Sequence, residues 1–168
     1  TSLNASALAS GTVPDARLAA NVARTNQVWL LGGNAGLTAG TQFLGTTDNQ
    51  PLEIKVNSLR ALRLEPDFTS PNVVGGHSGN MVGAGKFGST IAGGGSAANS
   101  NAVFANFSVI GGGSLNTIEP QADWATIGGG GACAIGFNSY NATIGGGNGN
   151  TIQTNAGEAT IGGGYRNT

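Results

Sequence analysis

The chain reads as an all-β repeat protein, a parallel β-roll of about six 17-residue repeats preceded by a small region carrying a β-hairpin. Three observations predict this. Ile110, Ile127, Ile144 and Ile161 each open the string Ile-Gly-Gly-Gly, each seventeen residues after the last. The ladder continues backwards through Ile91 (Ile-Ala-Gly-Gly-Gly) and Val74 (Val-Gly-Gly-His), and only the step from Ile91 to Ile110 is irregular, at nineteen, which places two inserted residues there. A second aliphatic column follows eight residues behind the first, at Val82, Ile118, Ile135 and Ile152. Self-similarity at a short fixed period marks units that stack on their neighbours. Function is therefore sought on the surface of a rod.

Three regions follow in order: a connector over residues 1–26, a small β-region over 27–70 and the repeats over 71–168. In the first, Leu3, Leu8, Val13, Leu18 and Val22 fall five, five, five and four apart. That spacing is neither a heptad nor a helix stripe. It predicts short turns and extended pieces, with room for a helical turn over 15–22. In the second, Gln27-Val28-Trp29-Leu30-Leu31-Gly32-Gly33-Asn34 reads as a strand and turn. Leu52, Ile54 and Val56 alternate with Glu53, Lys55 and Asn57, and Ala61-Leu62-Arg63-Leu64 alternates likewise. A hairpin turning at Asn57-Ser58-Leu59 is expected. Glu53, Lys55, Arg60, Arg63 and Glu65 are placed to pair across it or between subunits.

Within the repeats, anchors at alternating steps of eight and nine divide each coil into two short strands and two turns. In Ala125-Thr126-Ile127-Gly128 and Ala142-Thr143-Ile144-Gly145, alternation sends Ala and Ile to one face, Thr and Gly to the other. Stacking then makes a column of Thr126, Thr143 and Thr160, and another of Asn80, Asn116, Asn150 and Asn167, with Ala97 and Cys133 as exceptions. Stacked Asn side chains hydrogen-bond from rung to rung. A triangular β-helix would need three anchors per coil at six-residue intervals, so a flattened two-sided roll fits better. Each rung offers only two large aliphatic groups, against about 1–2 kcal/mol of backbone entropy per ordered residue. With 31 glycines in 168 residues, association of several rolls through small Gly, Ala and Thr faces is expected.

The phrases Ala-Thr-Ile-Gly-Gly-Gly and Ser-Val-Ile-Gly-Gly-Gly resemble the Ser-Val-Ala-Ile-Gly repeats of YadA-like trimeric autotransporter adhesin heads, and the repeats of bacteriophage-tail-fibre-like proteins. The resemblance covers residues 74–168. It implies a left-handed roll, a homotrimer around one axis, and an extracellular place on a bacterial surface or a phage or injection-system tail fibre. Gly11-Thr12-Val13-Pro14-Asp15-Ala16-Arg17-Leu18 is similar to connectors of trimeric fibres, and Gly45-Thr46-Thr47-Asp48-Asn49-Gln50-Pro51-Leu52 to small trimeric β-domains before repeat shafts.

Composition points the same way. Charged residues are 9% of the chain, the net charge is −1 and no basic cluster occurs, so the footprint that nucleic acid requires is missing. No apolar run approaches the ~18 residues of a membrane span. No signal peptide is visible, and Ile161-Gly-Gly-Gly-Tyr-Arg-Asn167-Thr168 stops in mid-repeat, so the chain reads as part of a longer fibre. The single Cys133 forms no intrachain disulfide and reads as a small buried thiol. His77 stands alone on a turn, and the repeated Gly-Gly-Gly lacks the Lys-Ser or Lys-Thr of a phosphate loop. Neither a catalytic residue, a metal site nor a cofactor is expected.

The expected role is a structural fibre or adhesin segment, a shaft or head that presents a surface to a host receptor protein or glycan. Candidate ligand contacts lie where the repeat departs from itself, in insertions over 97–107 and 119–124: Phe104, Phe107 and Trp124, with Phe137 and Tyr140 on the next coil. Exposed aromatics on rigid scaffolds commonly carry recognition; the alternative is that they plug the ends of the roll or the seams between subunits. An ice-binding solenoid and the stalk of an enzyme-bearing tail fibre remain as other readings.

Overall fold

The computed structural model describes residues 18, 19, 22 and 28–168. The connector expected over 1–26 thus lies outside the described residues, apart from those three positions. The described residues are all-β without a helix, and the chain forms two compact units, Thr1–Leu44 and Gly45–Thr168.

In the first unit, of the strand and turn expected over 27–34, only the turn forms among the described residues. It spans residues 28–34: Gly33 N donates to Leu30 O (2.9 Å), Leu30 N donates to Asn34 Oδ1 (2.9 Å), and Asn34 Nδ2 donates to Val28 O (2.9 Å). The carboxamide closes the turn upon itself, satisfying groups that a strand would pair with a neighbour.

The second unit holds thirteen strands. β1 (Leu52–Val56) and β2 (Leu59–Glu65) pair antiparallel, with a register shift between Ile54 and Lys55. Asn57 and Ser58 make the reversal alone, at φ 49° and 62°, which is why Leu59 already belongs to a strand. Arg63 sits 3.7 Å from Glu53 across the hairpin and 3.1 Å from Glu65 along its own strand. β2 then pairs antiparallel with β3 (Asn72–Gly75), and from there every pairing is parallel.

One sheet continues through β5 (Thr90–Ile91), β7 (Val109–Ile110), β9 (Thr126–Ile127), β11 (Thr143–Ile144) and β13 (Thr160–Ile161). The other stacks β4 (Met81–Val82), β6 (Ala102–Val103), β8 (Thr117–Ile118), β10 (Ala134–Ile135) and β12 (Thr151–Ile152). Consecutive strands alternate between the sheets, which makes a β-solenoid of about five turns between six anchors. Anchor stands on anchor: Ile144 pairs with Ile127 and Thr143 with Thr126. A thinner third row of single bridges, Ser114 to Gly131 to Asn148 to Tyr165, runs through the glycine-rich turns.

The core is the two aliphatic columns facing each other. Ile91, Ile110, Ile118, Ile127, Ile135 and Ile144 are 0% exposed, and Val74, Val82, Val103 and Ile152 join them, with Ile161 partly buried against the cluster. Val103 corrects the sequence reading, in which the irregular coil had no second anchor. Val82 pairs with Val103, which pairs with Ile118. The step from Ile91 to Val103 is therefore twelve residues instead of eight, and from Val103 to Ile110 seven instead of nine. Four residues are added in one turn, where Ser96 and Asn99 bond each other across Ala97 and Ala98, and two are removed from the next.

The same correction fills the Asn column. Asn101, not Ala97, stands on Asn80: Asn80 Oδ1 accepts from Asn101 N (2.9 Å), Asn101 Oδ1 from Asn116 N (3.0 Å) and Asn116 Oδ1 from Cys133 N (3.0 Å). The Nδ2 groups of Asn80, Asn101, Asn116 and Asn150 each donate to a glycine carbonyl one rung on, Asn116 to Gly130 and Asn150 to Gly164, both at 3.0 Å. These buried carboxamides thus satisfy backbone groups that a turn cannot pair by itself. Cys133 is the one break. Its buried Sγ points at Gly147 O (3.8 Å), but a thiol has no carbonyl oxygen to hand forward as Asn116 and Asn150 do. Cys133→Asn is expected to raise stability by about 1 kcal/mol, the net value of one such bond. Thermal denaturation checks this, as a rise in Tm of about 3 °C; a fall would mean that the site has closed around the smaller thiol.

The start of the stack is closed by side chain as well as strand. Arg60 Nη2 donates to Ser78 O and Asn80 O, both at 2.8 Å. In later rungs the matching carbonyls of Asn101, Asn116 and Cys133 accept from the strand N–H of the rung before. Arg60 takes the place of that missing rung.

Candidate functional site

The two edges of the solenoid are chemically unlike. The turns leading from the first sheet to the second are mainly Gly, Ala, Ser and Asn, with His77, Leu115, Tyr165 and Arg166 as the large exceptions. Those leading back carry Phe87, Phe104, Phe107, Trp124, Phe137 and Tyr140, every other aromatic of the repeats. This aromatic edge is the candidate site.

Its backbone is set by the coil. The third residue before each of the five anchors after Val74 adopts left-handed φ: Gly88 (68°), Phe107 (53°), Trp124 (60°), Asn141 (56°) and Glu158 (63°). A ladder of backbone bonds fixes the turn, with Phe107 N donating to Phe87 O, Trp124 N to Asn106 O, Asn141 N to Asp123 O and Glu158 N to Tyr140 O, at 2.8–3.1 Å. Beneath it Ser108 Oγ donates to Ala122 O (3.0 Å) and Ser139 Oγ to Gln153 O (2.7 Å). Gly and Asn suit such backbone, whereas a bulky aromatic there costs about 1–3 kcal/mol. Two successive rungs nevertheless carry Phe and Trp.

The rings form a row along the rod. Phe87 meets Phe107 edge-on at 5.2 Å and 82°, and Phe107 stacks on Trp124 at 6.1 Å and 9°. Trp124 remains 58% exposed, Phe107 39% and Tyr140, one rung further, 46%. Tyr140 lies against Gly157, at the level of the following rung, because a Cβ on that glycine would fall 2.8 Å from its Cε1. Among the ring pairs of the described residues, Phe107 is the sole partner of Trp124. Polar groups line the row. Asp123 Oδ1 accepts from Asn106 N (2.8 Å), Asn138 Nδ2 donates to Asn155 Oδ1 (2.9 Å), and Asn141 is exposed.

Of the residues singled out from sequence, Phe107 and Trp124 come together, with Tyr140 on the same edge. Phe104 does not join their stack. Its ring covers Gly83 of the preceding rung, where a Cβ would come within 2.8 Å of its Cδ1, and it is half-buried. Phe87, absent from the expected set, completes the row. Residues 119–124 are no insertion: the nine-residue step from Ile118 to Ile127 matches those from Ile135 to Ile144 and Ile152 to Ile161. Counting each turn backwards from its following anchor would have aligned Phe87 with Tyr140 and Phe107 with Trp124.

His77 is occupied locally, its Nδ1 accepting from Gly79 N (3.0 Å). Among the described residues no three His, Cys, Asp or Glu side chains come together, and no helix is long and apolar enough to cross a membrane. No protein-family model, curated protein or solved structure significantly matches the chain.

Proposed function

We propose that this chain is a non-enzymatic segment of an extracellular fibre or adhesin, a left-handed β-roll that assembles as a homotrimer and presents its turn edge to a host receptor. The observation that carries the reading is the chemistry of the flat faces. The outward positions of the parallel strands are Val73, Thr90, Val109, Thr126, Thr143 and Thr160 in the first sheet, and Met81, Ala102, Thr117, Ala134 and Thr151 in the second. None is charged, and no charged residue lies between Lys86 and Glu119 or between Trp124 and Glu158. Flat, parallel, uncharged strand faces with small side chains suit close packing against identical copies. The thin core, two aliphatic columns wide, gives association a stabilising role.

The ice-binding reading is less well supported. Val73 and Val109 break the threonine column of the first sheet, and Met81, Ala102 and Ala134 that of the second.

Light scattering at micromolar concentration tests the proposal. The expected mass is that of three chains; a stable folded monomer sinks it.

A further inference from the structure

We propose that the aromatic edge binds a neutral saccharide, with a pyranose ring seated on the free side of Trp124 and the chain running along the rod past Tyr140. The inference rests on the reading of this segment as a presenting surface, and names what the surface takes.

Four observations lead to it. Trp124 and Phe107 occupy a left-handed backbone position that Asn141 fills without strain one rung later, so something other than the coil favours the rings. The stack ends at Trp124, which is 58% exposed, and Tyr140 lies against the rung after the next one. Two aromatic surfaces are thereby displaced along the axis by about two rung spacings of ~4.8 Å each, with exposed Asn141 beside them. The turn is held by the backbone ladder and the buried Ser139 hydroxyl, so little ordering is lost on binding. The C–H face of a sugar packs on a ring while its hydroxyls exchange bonds with carboxamides and carboxylates, and this edge supplies both kinds of group.

Charge decides which saccharide. The edge holds one cation, Lys86, against three carboxylates, Glu119, Asp123 and Glu158. An anionic glycan or a nucleic acid would be repelled. A protein partner would need a broader apolar patch than one row of turn residues.

Affinity electrophoresis of the full chain through gels containing hydroxyethyl cellulose, galactomannan or dextran tests the proposal, with alginate and heparin as anionic counterparts. At least one neutral polymer is expected to retard the protein, and neither anionic one. In a Trp29→Phe background, the same neutral polymer should shift the remaining emission, that of Trp124. Trp124→Asn, which copies the residue of the next rung, should weaken retardation at least tenfold and leave the circular-dichroism melt intact. Tyr140→Ala should weaken it severalfold.

Retardation by no neutral polymer overturns the proposal, as does equal retardation by the anionic ones or undiminished retardation of Trp124→Asn. A Trp124→Asn variant with altered mass and unaltered retardation would show that the row is a contact between copies, and would overturn it too. Light scattering on the same samples separates the two readings. A trimer that binds no saccharide leaves the fibre segment standing and removes this site, whereas a monomer removes the fibre reading whatever the gels show.

Discussion

Ile144→Asp is expected to abolish the cooperative thermal transition of the solenoid. Ile144 is fully buried, stands directly on Ile127 and under Ile161, and faces the second aliphatic column. A carboxylate there has no cation within the coil to meet, because every charged residue of the repeats sits in a turn. Burying an unpaired charge costs several kcal/mol, against a total stability of ~5–15 kcal/mol for a domain. A solenoid feels such a loss at both neighbours, since each rung is stabilised only by those beside it. Ile144→Val, which removes one methylene and adds no charge, should cost only about 1 kcal/mol. Circular-dichroism melts of the two variants decide the matter: near-wild-type melting of Ile144→Asp would mean that the register is wrong.

Gly130→Ala is expected to be nearly as damaging, and Gly93→Ala harmless, though both lie in the glycine runs. Gly130 has φ 97°, and a Cβ built on it falls on the carbonyl oxygen of Gly147 in the next rung. Both the backbone conformation and the rung spacing would have to yield, so we expect a loss of at least about 3 kcal/mol. Gly93 has ordinary φ and open space where its Cβ would be. There the substitution should be neutral or stabilise by up to about 1 kcal/mol through the unfolded chain. Denaturant titrations of the two proteins provide the check; equal destabilisation would show that the glycines act through flexibility alone.

The contrast between those two glycines also shows what the sequence discloses and what it hides. Ile110, Ile127 and Ile144 announce their stacking because a solenoid repeats its environment, and an equal environment selects an equal residue. The alternation of Leu52, Ile54 and Val56 discloses β1 for a similar reason, one face differing from the other. Val103 and Asn101 were hidden because four added and two removed residues sum to a small net change, which hides two compensating edits behind one. Residues 27–34 read as a strand and turn, and only the turn forms among the described ones: Val28, Trp29, Leu30 and Leu31 have strand-like side chains, while the choice is made by the Asn34 carboxamide. The aromatic row was half legible. Phe107, Trp124 and Tyr140 stand out as aromatics in the turns, whereas Phe87 joins the edge only once the turns are laid over one another. Side-chain identity alone does not show that Phe104 belongs to a neighbouring contact with Gly83.

Arg60 gives the stack a direction. Every later rung receives its strand hydrogen bonds from a copy of itself and passes the same set onward, so rungs are interchangeable parts. The first rung receives part of its set from a guanidinium that belongs to no repeat. A gene that lengthens by duplicating one 17-residue unit can therefore do so anywhere downstream of β4. Each duplication would move the distal rungs outward by about 4.8 Å without asking for a single new contact. Duplicated ahead of β4, the same unit would separate Arg60 from the carbonyls it serves. Reach is thus an easily varied property of this chain, graduated in strand spacings and measured from a fixed origin.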